Sequence, residues 1–445
     1  MKHKLVFSLT FVLFCLLFYY SCEKDKNENS SQPYDPGKPI ELYSYTPQTG
    51  GMATRMILSG GNFGNDPSSI KVYFNHKQAP VVGCDNGKIL VITPRQPGDE
   101  CAISVVIGKD SVSFPEKFTY VTTTVVTTVV GQKGTTTFKA GSFGESTFNH
   151  PAYLTVDDEY NLFLAHHDPH CVALINQQNS TVTQLFATPD KPNAPTTDAV
   201  GKVIVVPSDG GNTYKDTYYE FDPDAQWAPR TRIIIHPTAE DIANGVQDFN
   251  VNLFKHSFAV CKYDSMVYLR SNRDGYLIKF NPKTRLGQSV VINGKKMVCN
   301  PNNSDSYLVF DPINTTRLYV ASTGQHCIHY FDILTGETGV YAGKSGQAGW
   351  RDGKKEDAQF NSPRQIVLDI NNNLIIADQK NHCIRRITPD GNVETVVGIA
   401  GKAGYMDGNP EDALFNEPWG LAIDKDYTIY VSDYGNQCIR KLTIQ

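Results

Sequence analysis

The C-terminal part of the chain contains two near-copies of one sequence, and this duplication constrains the fold more than any other feature. Residues 346–397 and 401–442 match in register, and Phe360 and Phe415, for example, lie 55 residues apart. A match that runs through both segments indicates a structural repeat with one supersecondary unit per copy. Such a unit cannot bury its apolar face alone, so we expect several units to pack side by side.

One strand of the repeat can be recognised six times along the chain, at intervals of 46, 59, 51, 56 and 55 residues. The six copies are Cys171–Ile175, Thr217–Phe221, Tyr276–Phe280, Cys327–Phe331, Cys383–Ile387 and Cys438–Leu442. Short strands at this spacing, with room for four in each unit, are typical of a β-propeller. We therefore predict a six-bladed β-propeller; a long array of β-sandwiches is the alternative.

A separate strand before the first unit indicates how the ring closes. Residues 122–130 form the β-branched run TTTVVTTVV, which matches the outermost strand of a later unit at residues 393–397. The last unit stops after its third strand, at Leu442. An open array would leave exposed sheet edges. We therefore predict that residues 122–445 form one propeller, closed by the strand at residues 122–130.

Two motifs recur in the units. The pattern F-N-x-P precedes a strand that ends in Asp, and it begins at Phe148, Phe360 and Phe415. Two units continue with segments close to A-D-x-x-N, which contain Asp378 and Asp433. These motifs resemble those of the NHL repeat family. The resemblance implies an NHL-type propeller with four strands in each blade.

The first 21 residues have the pattern of a lipoprotein signal peptide. Lys2 and Lys4 precede an apolar run from Leu5 to Tyr20, and Cys22 follows a serine. A small residue before this cysteine resembles the lipobox of bacterial lipoproteins, which implies lipidation of Cys22. The acidic start of the mature chain resembles the signal for the outer face of the outer membrane. We expect an outer-membrane lipoprotein that faces the cell exterior; an uncleaved membrane span is the alternative.

Between the signal and the propeller we predict a tether and a small domain. Residues 22–39 are polar, and we expect them to form a flexible tether. Residues 40–121 alternate apolar and polar side chains between Gly, Pro and Asn turns, which predicts an antiparallel β-sandwich. The P-x-x-G segment at Pro47 and the G-x-N-F-G turn at residues 60–64 resemble the IPT/TIG family of immunoglobulin-like domains. That resemblance implies a spacer or interaction module, and the whole fold is expected to be all-β.

Charge and cysteine content narrow the function classes. A net charge of −5 and a pI near 6.1 argue against a nucleic-acid partner, because nucleic-acid binders present a basic face. Cys84 and Cys101 share the small domain and either form a disulfide or stay free. The four cysteines that open repeated strands belong to separate sheets about 10 Å apart, which is too far for a disulfide. We expect these four to be buried thiols.

We expect the ligand site on the upper face of the propeller, where the F-N-x-P segments and the A-D-x-x-N turns meet around the central channel. Loops from all blades converge there on a rigid scaffold. The side chains predicted to face a partner are His150, Tyr153, His166, His167, Arg364, Asp378, Trp419, Asp433 and Tyr434. Their aromatic rings suit contacts with sugars or peptides. We therefore predict a surface protein that binds a glycan or a protein partner.

Two alternatives to this interpretation remain open. Asp378 and Asp433 could stabilise tight turns rather than contact a ligand. A propeller hydrolase or lyase with a site in the channel is the competing function, and the cluster at residues 166–170, with three histidines and an aspartate, suits zinc. A catalytic zinc site needs three protein ligands, and the equivalent position in two other blades is serine, at Ser271 and Ser322. We therefore expect no cofactor, with a metal ion in the channel as the lesser alternative, and binding rather than catalysis.

Overall fold

The computed structural model describes residues 32–94, 100–121, 124–209, 217–246, 249, 256–271, 275–299 and 305–444. The chain divides into two compact units, one that ends at residue 123 and one that spans Thr124–Ile444, and each is described by itself. The predicted signal peptide at residues 1–21, the lipidation site Cys22 and residues 22–31 of the predicted tether lie outside the described residues.

The first unit is a small β-sandwich. Its strands form three sheets, with a 3-10 turn at Pro67–Ser69. In pairing order the strands are Glu41–Thr46, Arg55–Gly61, Lys88–Ile92 and Val81–Asp85; Asp110–Ser113, Ile103–Ile107, Ile70–Phe74 and Lys77–Ala79; and Thr49–Gly50, Phe118–Tyr120 and Glu100–Cys101. Alternate side chains point into the core, where the rings of Phe74 and Phe118 meet edge to face with centroids 5.6 Å apart. Cys84 is a free thiol, so it does not form a disulfide with Cys101, which is buried in the core.

Residues 34–39, which we predicted as the end of a flexible tether, instead pack against this sandwich. The Asn62 side chain donates to the carbonyls of Asp35 and Lys38 at 2.9 and 2.8 Å, and it accepts from the Asp35 amide at 2.9 Å. Tyr34 packs on the apolar core. The tether prediction was wrong for this segment because composition measures only the apolar surface available for burial. It does not reveal a side chain that binds the backbone of a distant segment.

The described residues of the second unit contain six sheets of four or five strands, which we number as blades 1 to 6 along the chain. From the inner strand outward, the strands of blade 1 are Pro151–Val156, Leu162–His167, His170–Asn176, Thr181–Ala187 and Gly141–Ser142, and those of blade 2 are Thr196–Thr197, Ile204–Pro207, Tyr218–Phe221 and Pro229–Ile233. In the same order, blade 3 contains Phe258–Val260, Val267–Arg270, Leu277–Phe280, Leu286–Ser289 and His236–Pro237, and blade 4 contains Ser306–Phe310, Arg317–Ser322, Cys327–Asp332 and Thr338–Gly343. Blade 5 contains Pro363–Leu368, Leu374–Asp378, Cys383–Ile387, Asn392–Val397 and Gly353–Lys354, and blade 6 contains Pro418–Ile423, Ile429–Asp433, Cys438–Ile444 and Thr124–Gly131. A two-stranded hairpin, Val291–Ile292 with Lys295–Lys296, lies between blades 3 and 4.

The six inner strands contact one another in a closed ring, in which blade 6 touches both blade 5 and blade 1. The six strands that we aligned in the sequence each correspond to the third strand of a blade. The chain is therefore an all-β protein with an immunoglobulin-like sandwich followed by a six-bladed propeller, as the sequence predicted.

The outer strand of blade 6 comes from the beginning of the unit. Thr124–Gly131 pairs antiparallel with Cys438–Ile444, with Thr124 opposite Ile444 and Gly131 opposite Cys438. Val126 is fully buried in the core between blades 5 and 6, and its backbone exchanges two hydrogen bonds with Gly408 at 2.8 and 3.0 Å. This pairing joins the two ends of the propeller, which satisfies backbone groups that an open sheet edge would leave unpaired.

Helical segments in the described part of the propeller are short. An α-helix spans Ala239–Ala243, where the Thr238 side chain caps the amide of Asp241. Turns of 3-10 helix span Pro223–Ala225, Thr323–Gln325, Gln379–Asn381 and Tyr434–Asn436. None of the helices in the described ranges has the length and apolar character needed to cross a membrane.

The repeated residues of the blades lie in the packed core, as predicted. The phenylalanines of all three F-N-x-P segments are fully buried, and so are the four cysteines that open third strands. These four are free thiols. Burial raises the pKa of the Cys171 thiol to about 12, so it remains protonated and behaves as a small apolar side chain.

Candidate ligand-binding site at the upper mouth of the channel

The upper face is the end of the propeller where each inner strand begins and each second strand ends. Backbone hydrogen bonds join the F-N-x-P segment to the turn after the second strand, from Lys380 to Asn361 at 3.0 Å in blade 5 and from Gly435 to Asn416 at 2.8 Å in blade 6. In blade 6 the absence of a side chain at Gly435 leaves room for Asn416, since an added Cβ would lie 2.6 Å from the Asn416 side chain. The structure therefore brings the two motifs together on one face.

Asp378 and Asp433 do not face this mouth, which corrects our prediction for both residues. Each carboxylate is fully buried, and each accepts one backbone and two side-chain hydrogen bonds. Oδ1 of Asp378 accepts from the amide of Asn361 at 2.7 Å, and Oδ2 accepts from Asn381 and from Nη1 of Arg385, both at 2.8 Å. All three hydrogen bonds that Asp378 accepts come from residues of blade 5. The aspartates therefore have the structural role that the sequence analysis left as the alternative.

Burial raises the pKa of both of these carboxyl groups. It raises the pKa of Asp378 to about 6, against the opposing effect of Arg385 and the hydrogen bonds from Asn361 and Asn381. Burial also raises the pKa of Asp433 to about 6, against hydrogen bonds from Asn436 and Arg440. The raised values therefore arise from the packed blade interior, and they do not indicate an acid poised for catalysis.

His166 occupies the corresponding position in blade 1, and it too is buried. Its Nε2 accepts from the amide of Asn149 at 3.2 Å, so Nδ1 carries the proton that it donates to the carbonyl of Pro169 at 2.9 Å. Burial lowers the pKa of His166 to about 4. Both ring nitrogens are thus engaged within the blade, which excludes His166 from a metal site without rearrangement. Among the described residues, no group of three or more His, Cys, Asp or Glu side chains is placed to hold a metal ion.

Arg364 is the centre of the cluster that does form at the mouth. Its Nη1 donates to Oδ2 of Asp305 at 2.7 Å and to the hydroxyls of Tyr307 and Tyr153 at 3.0 and 3.3 Å. Its Nε donates to Oε1 of Gln379 at 2.7 Å. These partners come from blades 1, 4 and 5, so one guanidinium joins three blades across the channel. Tyr153 and Tyr307 are also hydrogen bonded to each other through their hydroxyls.

The guanidinium of Arg364 also ends a continuous stack of aromatic rings. Its Cζ lies 3.9 Å from the centroid of the Trp419 ring, and Trp419 stacks on Tyr434 with centroids 3.9 Å apart and an 8° angle between planes. The ring of His150 follows at 4.9 Å from Tyr434. Since Arg364 and Tyr434 occupy its two faces, Trp419 presents an edge rather than a free face to a ligand. The stack fixes the plane of the guanidinium.

His167 completes the aromatic wall from blade 1. Its ring lies 5.5 Å from Tyr153 and 5.7 Å from Trp419, both in edge-to-face geometry. Its Nε2 lies 3.1 Å from the carbonyl of Pro192. Burial, assisted by the positive charge of Lys191, lowers the pKa of His167 to about 3, so the ring is neutral. His167 therefore contributes shape and packing rather than charge.

Three residues of the mouth were missed by the sequence analysis, namely His256, Asp305 and Tyr307. Asp305 accepts from Nε2 of His256 at 3.1 Å through Oδ1, while Oδ2 binds Arg364. Burial alone would raise the pKa of Asp305, but the hydrogen bond from His256 and the charges of His256 and Arg364 outweigh it and hold the pKa well below its usual range. Asp305 is thus ionised, and it links the entrances of blades 3, 4 and 5.

A signal for two of these residues is present in the sequence. Blade 4 lacks F-N-x-P, but its inner strand still ends in an aspartate, Asp311, as Pro363–Leu368 is followed by Asp369. Alignment on these two aspartates places Asp305 opposite Pro363 and Tyr307 opposite Gln365. This alignment would have located blade 4 at the mouth.

Two buried polar groups in the mouth lack partners among the described residues. Nε1 of Trp419 and Nδ1 of His256 are inaccessible to solvent and make no hydrogen bond. Buried polar atoms in native proteins are nearly always satisfied by protein or water. The two groups therefore require a partner other than the described residues.

Below this cluster, the channel continues as a cavity of about 240 Å³, lined by inner strands from all six blades. Gln365 reaches across it, since its Oε1 accepts from the amides of Leu154 and Leu421 at 3.2 and 3.1 Å and its Nε2 donates to the Leu154 carbonyl at 2.7 Å. Blade 5 is thereby tied to blades 6 and 1. Gln365 directly follows Arg364 in the chain, and its side chain lines the channel.

The structure thus brings together six of the nine residues that we predicted to face a ligand, and it assigns the other three to blade interiors. The six that surround the mouth are His150, Tyr153, His167, Arg364, Trp419 and Tyr434. Solvent reaches the cluster at His150 and Asp305, whose side chains are 38% and 36% exposed. The mouth is therefore a polar cluster with an aromatic wall, and it is open to solvent at these two side chains.

Comparison with known proteins identifies both parts of the chain. The family model of the IPT/TIG domain matches residues 40–120, and that of the NHL repeat matches residues 415–442. NHL repeat-containing protein 2 from Gallus gallus is 32% identical over 112 residues, which cover 24% of this chain and 15% of that protein. The chain spans about 15% of the length of the curated relatives it matches.

Two solved structures from Bacteroides thetaiotaomicron share the fold. A structural genomics protein of unknown function has a TM-score of 0.74 at 22% identity, over 93% of this chain and 100% of that one. An auxiliary nutrient binding protein has a TM-score of 0.61 at 23% identity, over 93% and 99%. At these identities the likeness shows the fold alone. The chain therefore carries an IPT/TIG domain at residues 40–120, followed by a six-bladed β-propeller that contains an NHL repeat at residues 415–442.

Proposed function

We propose that this protein binds a saccharide at the upper mouth of its propeller and acts as a binding protein rather than an enzyme. The observation that carries the proposal is the convergence of Arg364, Asp305, Tyr153 and Tyr307 from three blades onto one solvent-reached point beside Trp419. A rigid recess with a few oriented polar groups and an aromatic wall is the usual form of a small-ligand site.

The size of the site favours a glycan over a protein partner. A stable protein interface buries about 800 Å² on each side. The polar groups at the mouth instead converge on the single guanidinium of Arg364, which is a footprint of the size of one or two sugar units. Ring edges and hydroxyl-bearing side chains suit the alternating polar and apolar surface of a sugar.

We further propose that the protein is exported, lipidated at Cys22 and held at the outer face of the outer membrane, where it captures a nutrient glycan. The resemblance of residues 1–22 to a lipoprotein signal supports this location. The auxiliary nutrient binding protein with the same fold supports a binding role in general. The IPT/TIG domain would then separate the propeller from the membrane.

The test is a glycan array with the purified mature chain, followed by calorimetry on the glycans it retains. We expect at least one glycan to bind and Arg364→Ala to weaken its binding by tenfold or more. Arg386→Ala provides the control, because Arg386 lies on the third strand of the same blade and pairs with Glu394 at the surface. Retention of proteins but of no glycan would contradict the proposal. Equal affinity of wild type and Arg364→Ala would place the ligand elsewhere.

A hydrolase or lyase is the second candidate, and one observation favours it. Nε2 of His256 binds Asp305, while its Nδ1 has no partner within the part of the chain that the structure describes. A histidine oriented by a carboxylate, with its other nitrogen free, has the arrangement of a general base. Incubation of retained glycans with wild type and His256→Gln, with chromatography of the products, separates the candidates. Intact glycans after prolonged incubation with wild type would exclude catalysis on them.

A further inference from the structure

We infer that the saccharide carries a carboxylate, as a uronic acid does, and that this carboxylate binds at Arg364. The inference rests on the proposed function, since it names the chemical class of ligand for the same site. It comes from a surplus of hydrogen-bond donors at the mouth, which a ligand rich in acceptors would satisfy.

Arg364 contributes the first surplus donors. Its Nε and Nη1 are engaged by Gln379, Asp305 and the two tyrosines, whereas Nη2 makes no hydrogen bond with any residue that the structure describes. Nη2 carries two protons. Because it is not among the buried unpartnered atoms of those residues, it has contact with solvent and is open to a ligand.

Trp419 and the tyrosine pair add further donors. The indole nitrogen of Trp419 can only donate, and it is buried without an acceptor among the described residues. Tyr153 and Tyr307 share one hydrogen bond between their hydroxyls, and each also accepts from Arg364. One of the two hydroxyl protons is therefore left over. These groups surround the guanidinium of Arg364, which contacts both tyrosine hydroxyls and the face of the Trp419 ring.

Asp305 does not remove this surplus. Its Oδ1 is bound by His256 and its Oδ2 by Arg364, so both oxygens already have a donor. The formal charges of Asp305 and Arg364 cancel. A second carboxylate would therefore meet a neutral pair rather than a negative charge.

The geometry of Arg364 fixes the position of a bound anion. The guanidinium is held by Trp419 on its face and by Gln379 and Asp305 at its edge, so its orientation is fixed before a ligand arrives. Since Nε and Nη1 are engaged, a carboxylate meets the two N–H groups of Nη2, which point in fixed directions. Preorganisation also lowers the entropic cost of binding.

The experiment compares three probes by calorimetry with the full mature chain. These are a galacturonate trisaccharide, the same trisaccharide after reduction of its carboxyl groups to alcohols, and a sulfated neutral galactose trisaccharide. We expect the galacturonate form to bind at least tenfold more tightly than the reduced form, with the sulfated form also weaker. Arg364→Gln should abolish the difference, and Arg364→Lys, which keeps the charge but loses the fixed planar guanidinium, should recover only part of it.

The outcomes separate this inference from the proposed function. Equal binding of the galacturonate and reduced forms would overturn the carboxylate inference while saccharide binding stands. Preference for the sulfated form would overturn it as well, in favour of a tetrahedral oxyanion. Failure of all three probes would contradict the inference, and the glycan array then decides whether any saccharide binds. Circular dichroism and thermal melts of both Arg364 variants establish that they fold.

Discussion

Arg385 and Asp378 form an ion pair of 2.8 Å in which neither side chain is exposed to solvent. Nη2 of the same arginine binds Asp352 at 2.6 Å, so one buried cation lies between two carboxylates. Arg440 and Asp433 repeat the pair in blade 6 at 2.9 Å. Such a pair contributes little net stability compared with apolar residues of similar size, but removal of one partner leaves a buried charge without compensation.

The first prediction concerns the removal of one partner from the buried ion pair. Arg385→Met should lower the free energy of unfolding by about 3 to 5 kcal/mol, because Asp378 would remain buried without its counter-charge. Arg386→Met is the matched control, since Arg386 is partly exposed and pairs with Glu394 at 2.6 Å. The control should change stability by about 1 kcal/mol or less. Urea unfolding of both variants provides the measurement, and similar losses would show that the buried pair has no special role.

Blade 1 lacks the buried pair altogether. Alignment of blades 1 and 5 places Ala140, His166 and Ala173 where blade 5 has Asp352, Asp378 and Arg385. All three charges are thus absent together, and a neutral histidine accepts the amide hydrogen bond that an aspartate accepts in blade 5. The three positions therefore behave as one unit.

The second prediction tests that coupling. His166→Asp alone should destabilise the protein by several kcal/mol, since it buries a carboxylate without an arginine. Addition of Ala173→Arg should recover part of the loss, and the double-mutant cycle should give a favourable coupling of about 1 kcal/mol or more. Urea unfolding of the four proteins measures it. Strictly additive effects would mean that the two positions are independent.

The architecture could be predicted because the same pattern of apolar residues recurs in several blades. The third strand of each blade, the buried Phe360 and the buried Cys383 follow from apolar residues that recur in register. Arg364 and Trp419 could be placed at the mouth because they follow F-N-x-P directly. The sequence shows which residues share a blade face, and this is sufficient where the repeat is regular.

The remaining features depend on contacts between distant segments. Asp378 was assigned to the ligand face because nothing in the sequence shows that Arg385 turns back onto it inside the blade. Asp305 and His256 were missed because blades 3 and 4 lack F-N-x-P. Their contact joins two blades, and it becomes visible only when the ring is assembled.

The third prediction concerns acid sensitivity. The native pKa values of His166 and His167, about 4 and about 3, lie below the unfolded value of 6.5, so between these values the unfolded state binds more protons. The two rings should therefore contribute stability that is lost on acidification, by roughly 2 kcal/mol per ring between pH 7 and pH 5. Asp378 and Asp433, whose native pKa values of about 6 lie above the unfolded value of 3.8, oppose this loss in the same range.

His166→Asn isolates one of these contributions. Asparagine can accept the Asn149 amide bond through Oδ1, as Asp378 accepts the Asn361 amide bond in blade 5, but it does not titrate. The variant should lose about 2 kcal/mol less than wild type between pH 7 and pH 5, measured by urea unfolding. Since the buried aspartates titrate in both proteins, the difference reports the histidine. Parallel pH profiles would mean that His166 is not held neutral.

The fourth prediction concerns the proposed membrane anchor. Cys22→Ser should release the protein from the membrane fraction and prevent its labelling with radioactive palmitate, because the lipid would have no attachment site. Wild type should be labelled and should be removed from intact cells by external protease. Cys15→Ser, which changes the same residue type within the predicted signal peptide, is the control and should leave labelling intact. Labelling of Cys22→Ser would contradict the assignment.

The last prediction separates the two contributions of Trp419 to the mouth. Trp419→Phe keeps a flat ring between Arg364 and Tyr434 but removes the indole N–H, which is buried without an acceptor among the described residues. We expect affinity for a carboxylated saccharide to fall about five- to tenfold, which corresponds to one neutral hydrogen bond of about 1 kcal/mol. Trp419→Ala should weaken binding further, because the guanidinium of Arg364 would lose the face that fixes its plane.

Trp350→Phe is the matched control, since Trp350 is half exposed and its Nε1 donates to Thr395 at 3.0 Å. Calorimetry on the three variants decides the matter: unchanged affinity of Trp419→Phe would show that the indole nitrogen does not contact the ligand.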